Sequence, residues 1–326
     1  MTIVDVQTHW YSRTLLDAYV ESPCYPPCKR DGDGYLLELI EGTWMPVPPK
    51  LFELELQMED FRAAGIDVII SSSASFGDVD QFPVDEAREL AVAINEERAA
   101  AERDFPGFYG LATLPWQDAD AAIAVADDAM QRLGLRGVLL HSNIDGAPVD
   151  SDYLLPVYRR LAELGMPVFL HPGRTIMEER VRDYGLEILL AYMADTSIAA
   201  LRLVLGGVLD EVPDLVVVHP HCGGTLPYLA GRIDGSYFKG FALGRELAQP
   251  PSVYLAERFY TDTICQSDES LGLATRFYGV DRMLFGTDYP YFAPGQMLEE
   301  TRPAFSEADA GKVLSGNAIQ LLGLDL

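Results

Sequence analysis

The chain has 326 residues, 48% of them apolar, and carries 50 acidic against 24 basic side chains for a net charge of −26. That apolar content is ample for a large core, while the strongly negative charge disfavours nucleic acid and anionic membrane surfaces as partners. Four cysteines in this length do not make a disulfide framework.

Met1 leads almost directly into a strand-like run, with no basic leader and no cleavage site, so the chain reads as cytoplasmic. No apolar run approaches the roughly 20 residues of a membrane helix; the longest, Leu201 to Val208, is broken by glycines. Taken in order, strand-like runs fall at 3–7, 68–72, 108–111, 137–141, 168–171, 215–219, 259–261 and 282–286. Helix-period stretches separate them at 51–64, 85–103, 118–133, 153–164, 197–211, 226–231 and 270–278, and 306–315 closes the series. Eight strands each followed by a helix predict an α/β chain folded as a (β/α)8 TIM barrel, one domain over 1–326. A doubly wound open sheet would more often carry a glycine-rich phosphate turn after the first strand, and none is present.

Residues 21–50 do not fit the alternation. Asp33-Gly34 and Glu41-Gly42 are turn signals around alternating residues, which predicts a small β insertion after strand 1, over the barrel mouth. Cys24 and Cys28 lie in it, but no second Cys or His pair stands nearby to complete a metal site. At the helix-to-strand joints Ala64-Gly65, Leu133-Gly134 and Leu164-Gly165, glycine ends each helix. These joints mark the structural end of the barrel, so function belongs at the opposite strand ends.

All five histidines, His9, His141, His171, His219 and His221, fall at or just past a predicted strand end. Strand C-termini converge at a barrel mouth, so the set predicts a shared site. Asp288 ends the last strand in Gly286-Thr287-Asp288-Tyr289-Pro290. Imidazoles from strands one, five and six with that carboxylate make a mononuclear site suited to Zn²⁺ or a similar divalent ion.

The words Asp5-x-Gln7-x-His9, Leu170-His171-Pro172, His221-x-Gly223-Gly224 and Leu284-Phe285-Gly286-Thr287-Asp288-Tyr289-Pro290 resemble the amidohydrolase superfamily. More narrowly, the chain is similar to the amidohydrolase-related family containing aminocarboxymuconate-semialdehyde, dihydroxybenzoate and carboxyvanillate decarboxylases. That resemblance implies a (β/α)8 barrel, usually dimeric, with a metal held by Gln7, His9, His171 and Asp288. It implies His221 as the acid/base histidine, leaving His219 as an addition and His141 as mouth lining.

The departure is Gln7, where relatives carry His and some decarboxylases carry Glu. A neutral amide is a poorer donor than imidazole, so three outcomes stand open: an ion of the Mn²⁺ or Mg²⁺ kind, His219 as a substitute ligand, or a metal-free site using its His and Asp groups for acid/base work. Arg174 could clamp a substrate carboxylate or pair with Glu178 or Glu179. Trp44 on the insertion, and Trp10 and Tyr289 beside ligand positions, could stack on a planar substrate or pack in the core.

The leading functional reading is metal-dependent, non-oxidative decarboxylation of a small aromatic or unsaturated carboxylic acid. Asp288, or a water activated by His221, moves a proton to the carbon that loses CO2. Hydrolysis of a lactone, cyclic ester or amide, or hydration of a double bond, is the alternative on the same groups. A non-catalytic binding protein is the reading from another class.

Overall fold

A computed structural model describes residues 1–40, 42–75, 77–175, 178–241 and 245–326. Eleven strands occur among them: β1 (Val4–His9), β2 (Cys28–Asp31), β3 (Gly34–Ile40), β4 (Thr43–Pro46), β5 (Val68–Ser72), β6 (Phe108–Gly110), β7 (Val138–His141), β8 (Val168–His171), β9 (Val217–His219), β10 (Phe259–Asp262) and β11 (Met283–Leu284). Two parallel sheets, β1-β5-β6 and β7-β8-β9-β10-β11, meet at both edges. Ala112 joins β6 to β7, donating to Gly137 O (2.8 Å) and accepting from Leu139 N (3.0 Å). At the other seam Val6 N donates to Phe285 O and His9 N to Tyr289 O, both at 2.9 Å. The eight parallel strands therefore close into the expected barrel.

Alternation along the strands sorts side chains into a wall and a lumen. Val138, Leu140, Val168, Leu170 and Val217 pack outward with Val157, Leu161, Leu203 and Val204 of the covering helices. Val4, Val6, Val68, Ile70, Leu111, Phe169, Val218 and Leu284 form one cluster with Ala318, Leu322 and Leu324. Those strands lie around the barrel, so this cluster fills the lower lumen, and helix Asn317–Leu322 seals it. Gly65 and Gly165 end their helices at φ 73° and 67°, as the joints predict.

The helices depart from the expectation in several places. Helix Arg13–Glu21 precedes the insertion, capped by the Ser12 side chain accepting from Leu15 N. Pro251–Arg258 and Pro294–Thr301 are also helical, each opened by proline, the residue pre-set for a first helical position. The predicted helix 197–211 instead spans Tyr192–Leu205 and Val208–Glu211, parted at Gly206 and Gly207. One helix, Glu187–Leu205, is long and apolar enough to cross a membrane by length and composition alone, contrary to the reading that no stretch is. Less than half of it is buried, and Ala199, Ala200, Leu203 and Val204 on it pack in the core.

The insertion is a three-stranded antiparallel sheet, β2-β3-β4. It stands on helix Arg13–Glu21, where Tyr35 OH donates to Asp17 Oδ1 (2.7 Å). Of its two predicted turns, Glu41 lies outside the described residues.

Candidate metal centre and active site

Strict alternation from Val4 and Val6 would turn Gln7 and His9 away from the lumen. The pairing of β1 with β5 shifts register between Asp5 and Thr8, and this bulge carries both side chains to the inner face. Asp5 secures the shift: its carboxylate accepts from Gln7 N (3.1 Å), Thr287 N (3.1 Å) and Thr287 Oγ1 (2.5 Å), tying β1 to the segment after β11. Burial pushes the Asp5 carboxyl up to about 7 despite these donors.

One ligand atom each from His9, His171 and Asp288 lies within 4.8 Å of the others. His9 Nε2 is 2.9 Å from Asp288 Oδ1, and the His9 and His171 rings meet edge-on at 4.5 Å. His171 faces Pro172 O through Nδ1 (3.1 Å), which places its ring proton there and leaves Nε2 as a buried lone pair with no hydrogen-bond partner. Burial, with the imidazoles of His9, His221 and His141 around it, holds His171 well below the usual histidine range. A neutral imidazole with an orphaned nitrogen beside a second imidazole and a carboxylate fits a divalent cation.

His221 arrives by a chain reversal. After Pro220, His221 and Cys222 take left-handed φ of 55° and 54°, a conformation costing about 1–2 kcal/mol per non-glycine residue. Asp262 holds it, accepting from His221 N (2.9 Å) and Cys222 N (3.1 Å). The reversal puts His221 Nε2 3.9 Å from Asp288 Oδ2 and 3.2 Å from Gln7 Nε2. Asp288 is itself left-handed (φ 59°), its N–H donating to Gln7 O at 2.9 Å.

The structure thus brings together His9, His171, His221, Asp288 and Gln7. Gln7 meets His221 through its amide, and the His9–His171–Asp288 group forms without it.

His219 is a different matter. It shares the outer face of β9 with Val217, is fully buried, and both ring nitrogens lack partners. Its Nε2 lies near Gly224, beside Ser197 and Met193 of helix Tyr192–Leu205. Burial pushes its pKa down to about 3, and the strand wall separates it from the lumen, so it is no substitute ligand.

Among the proposed substrate contacts, Arg174 lines a cavity at the mouth, its guanidinium 4.2 Å over the Tyr25 ring. The Glu178 side chain offered as its partner lies outside the described ones. Trp10 packs edge-on against Phe108 (5.7 Å) and donates to Phe52 O, a core role. Tyr289 is buried against Phe61 (4.7 Å) with its hydroxyl on Asp60, again a core role. Trp44 is half exposed beneath Lys29 (3.9 Å) and lies outside that cavity's lining. Sequence reasoning missed Tyr291, whose ring sits 6.0 Å from His9, and Asp80 in the loop after β5. Tyr291 follows directly on the Asp288-Tyr289-Pro290 word; Asp80 lies in no recognisable pattern.

A family model for amidohydrolases matches residues 4–324. The chain belongs to the amidohydrolase family. This amidohydrolase is 32% identical over 304 residues to 2-amino-3-carboxymuconate-6-semialdehyde decarboxylase of Dictyostelium discoideum, covering 90% of this chain and 81% of the relative. It is 31% identical to gamma-resorcylate decarboxylase of Rhodococcus jostii, over 74% of this chain and 78% of the relative. A solved dihydroxybenzoic acid decarboxylase from Polaromonas, with bound manganese and the inhibitor 2-nitroresorcinol, superposes with a TM-score of 0.81 at 25% identity, covering 100% of this chain and 98% of that one.

Proposed function

We propose that this amidohydrolase is a non-oxidative decarboxylase of a small aromatic or unsaturated carboxylic acid, using a divalent metal ion held by His9, His171 and Asp288. The observation that carries the reading is the convergence of those three ligand atoms within 4.8 Å, with His221 beside them. The relatives, decarboxylases by name, supply the reaction class.

A divalent ion bound there supplies positive charge that polarises the substrate's carboxylate or a neighbouring hydroxyl. In the reaction the bond from carbon to carboxylate breaks, CO2 leaves, and a proton takes its place on carbon; no oxidant is consumed. His221 and Asp288, 3.9 Å apart, carry that proton. Gln7 orients the His221 ring through its amide. Two imidazoles suit zinc, whereas the Polaromonas relative holds manganese; zinc is the leading choice, with manganese or magnesium the alternatives.

The chain pairs with a second copy, a reading supported by exposed Ile188, Leu189 and Leu190 at the start of one helix and by exposed Tyr184 in the turn before it. It works in the cytoplasm, which suits its four free cysteines.

The test is metal analysis of the purified chain together with CO2 release from hydroxybenzoic and muconate-type acids. Asp288→Asn loses metal and turnover together. His221→Ala keeps the metal and loses about 10³-fold in kcat. No CO2 from any such acid, or full activity in His221→Ala, refutes the proposal.

A further inference from the structure

Beside the His9–His171–Asp288 group the mouth holds a second polar compartment. A cavity of about 580 Å³ opens among the loops that follow β5, β7 and β8. His141, a residue only 5% exposed, lines it, and its Nε2 is buried without a hydrogen-bond partner. Asp80 lines it as well, and its Oδ1 is likewise buried and without a partner.

Neither group is a loose surface residue. His141 pairs in register with His171 across β7 and β8, and Gly173 lies so close that a Cβ there would stand 3.0 Å from the His141 Cβ. The Asp80 turn, Val79–Gln81, is pinned on several sides. Tyr19 OH donates to Asp78 O (2.7 Å), Thr113 Oγ1 to Asp78 Oδ2 (3.0 Å), and Gln117 Nε2 to Val79 O (3.3 Å) and Phe82 O (3.1 Å). Burial raises the Asp80 carboxyl, and the nearby His141 draws it back. Preorganised polar atoms left open in a folded protein are costly unless a ligand completes them.

We propose that Asp80 and His141 form a subsite for a protic substituent, a hydroxyl or amino group, on the edge of the substrate acid remote from the carboxylate that is lost. This rests on the decarboxylase reading. The chemistry of the lining selects the class. Arg174 and Arg180 offset Asp145 and Glu179 elsewhere in the lining, but a substituent held between His141 and Asp80 meets the Asp80 carboxylate, which disfavours an anion at that point, and an apolar one would leave both open atoms unpaired. A hydroxyl or amine can donate to the carboxylate while it meets the imidazole. The ring centroids of His141 and His171 are 6.4 Å apart, so a single aromatic acid can span the compartment and the metal group.

Calorimetry on the full chain with Mn²⁺ in excess tests the subsite without requiring turnover. The probes are 2-hydroxybenzoate and its 2,4- and 2,5-dihydroxy forms, which differ only by a hydroxyl away from the carboxylate. At least one dihydroxy acid binds roughly 30-fold tighter or more than the monohydroxy acid. Asp80→Ala and His141→Ala bring that preference to within about threefold, and Asp80→Asn, which keeps an acceptor, restores most of it. Equal binding of the three acids to the unaltered chain overturns the proposal, as does a preference that persists in both alanine variants. Selective binding without CO2 release leaves the subsite standing and removes the decarboxylase reading.

Discussion

The lower and upper halves of the barrel lumen are built from the same strands and obey opposite rules. Below, Val4, Val6, Val68, Ile70, Phe169, Val218 and Leu284 interlock with the closing helix in a layer closed by its own contacts. Above, His9, His141, His171, His221 and Asp80 each keep at least one buried nitrogen or oxygen without a partner. The two layers meet at one register shift in β1, between Asp5 and Thr8. The lower layer is paid for by packing, whereas the upper layer stays incomplete until something binds. Stability and chemistry are thereby separated along the barrel axis.

The sharpest way to break this division is Phe169→Ala. The ring fills the dry layer, so its loss costs about 3–5 kcal/mol in urea unfolding. Metal content of the folded fraction should stay unchanged; parallel loss of metal would show that the two layers are one unit.

A carboxyl on the covering helix Val84–Asp104 gives a smaller effect. Glu102 accepts from Gly110 N (2.9 Å), and burial raises it from 4.5 to about 7. The folded chain therefore keeps a proton that the unfolded chain releases above the ordinary carboxylate value. Between about pH 4.5 and 7 the folded state binds more protons, so stability falls as pH rises through that window and is flat above it. Glu102→Gln removes a fall of about 2–3 kcal/mol, read from unfolding curves at about pH 5 and 8. An unchanged slope would mean that Glu102 ionises normally.

At the junction of the layers, Gln7→His replaces an amide with a stronger donor. Metal affinity should tighten roughly tenfold in chelator competition. No change would place position 7 outside the ligand set and leave it as the partner of His221. The smallest effect belongs to His219→Phe, on the outer face of β9: kcat/KM stays within about threefold and metal is retained. Loss of metal in that variant would erase the distinction between wall and lumen.

Strand order and mouth were legible because a parallel barrel needs continuous apolar runs, and these stand out in the chain. His171, His221 and Asp288 were legible because each closes such a run. What escaped notice depended on local exceptions. The bulge between Asp5 and Thr8 leaves no mark in composition, yet it decides which face Gln7 and His9 present. His219 and His221 look alike in sequence, and only the left-handed reversal sends one inward. Helix Arg13–Glu21 could have been read from its Ser12 cap and the Leu15, Leu16 and Tyr19 stripe. Trp10 and Tyr289 stayed open between two roles because an aromatic beside a ligand word suits core and substrate equally. Asp80 could not be found, since only the folded loop brings it to His141.

The seam between β1 and β11 bears on how the chain is made. Its two halves lie at opposite ends of the sequence, and Leu322 and Leu324 belong to the cluster that seals the lumen. During synthesis, β1 and the apolar lower layer stay uncovered until the segment through Leu324 has left the ribosome. Until then the nascent protein exposes an open parallel edge and a row of valines. Its yield in a cell should therefore respond to chaperone supply and growth temperature, and a fusion placed close behind Leu324 should interfere with folding more than one placed ahead of Met1.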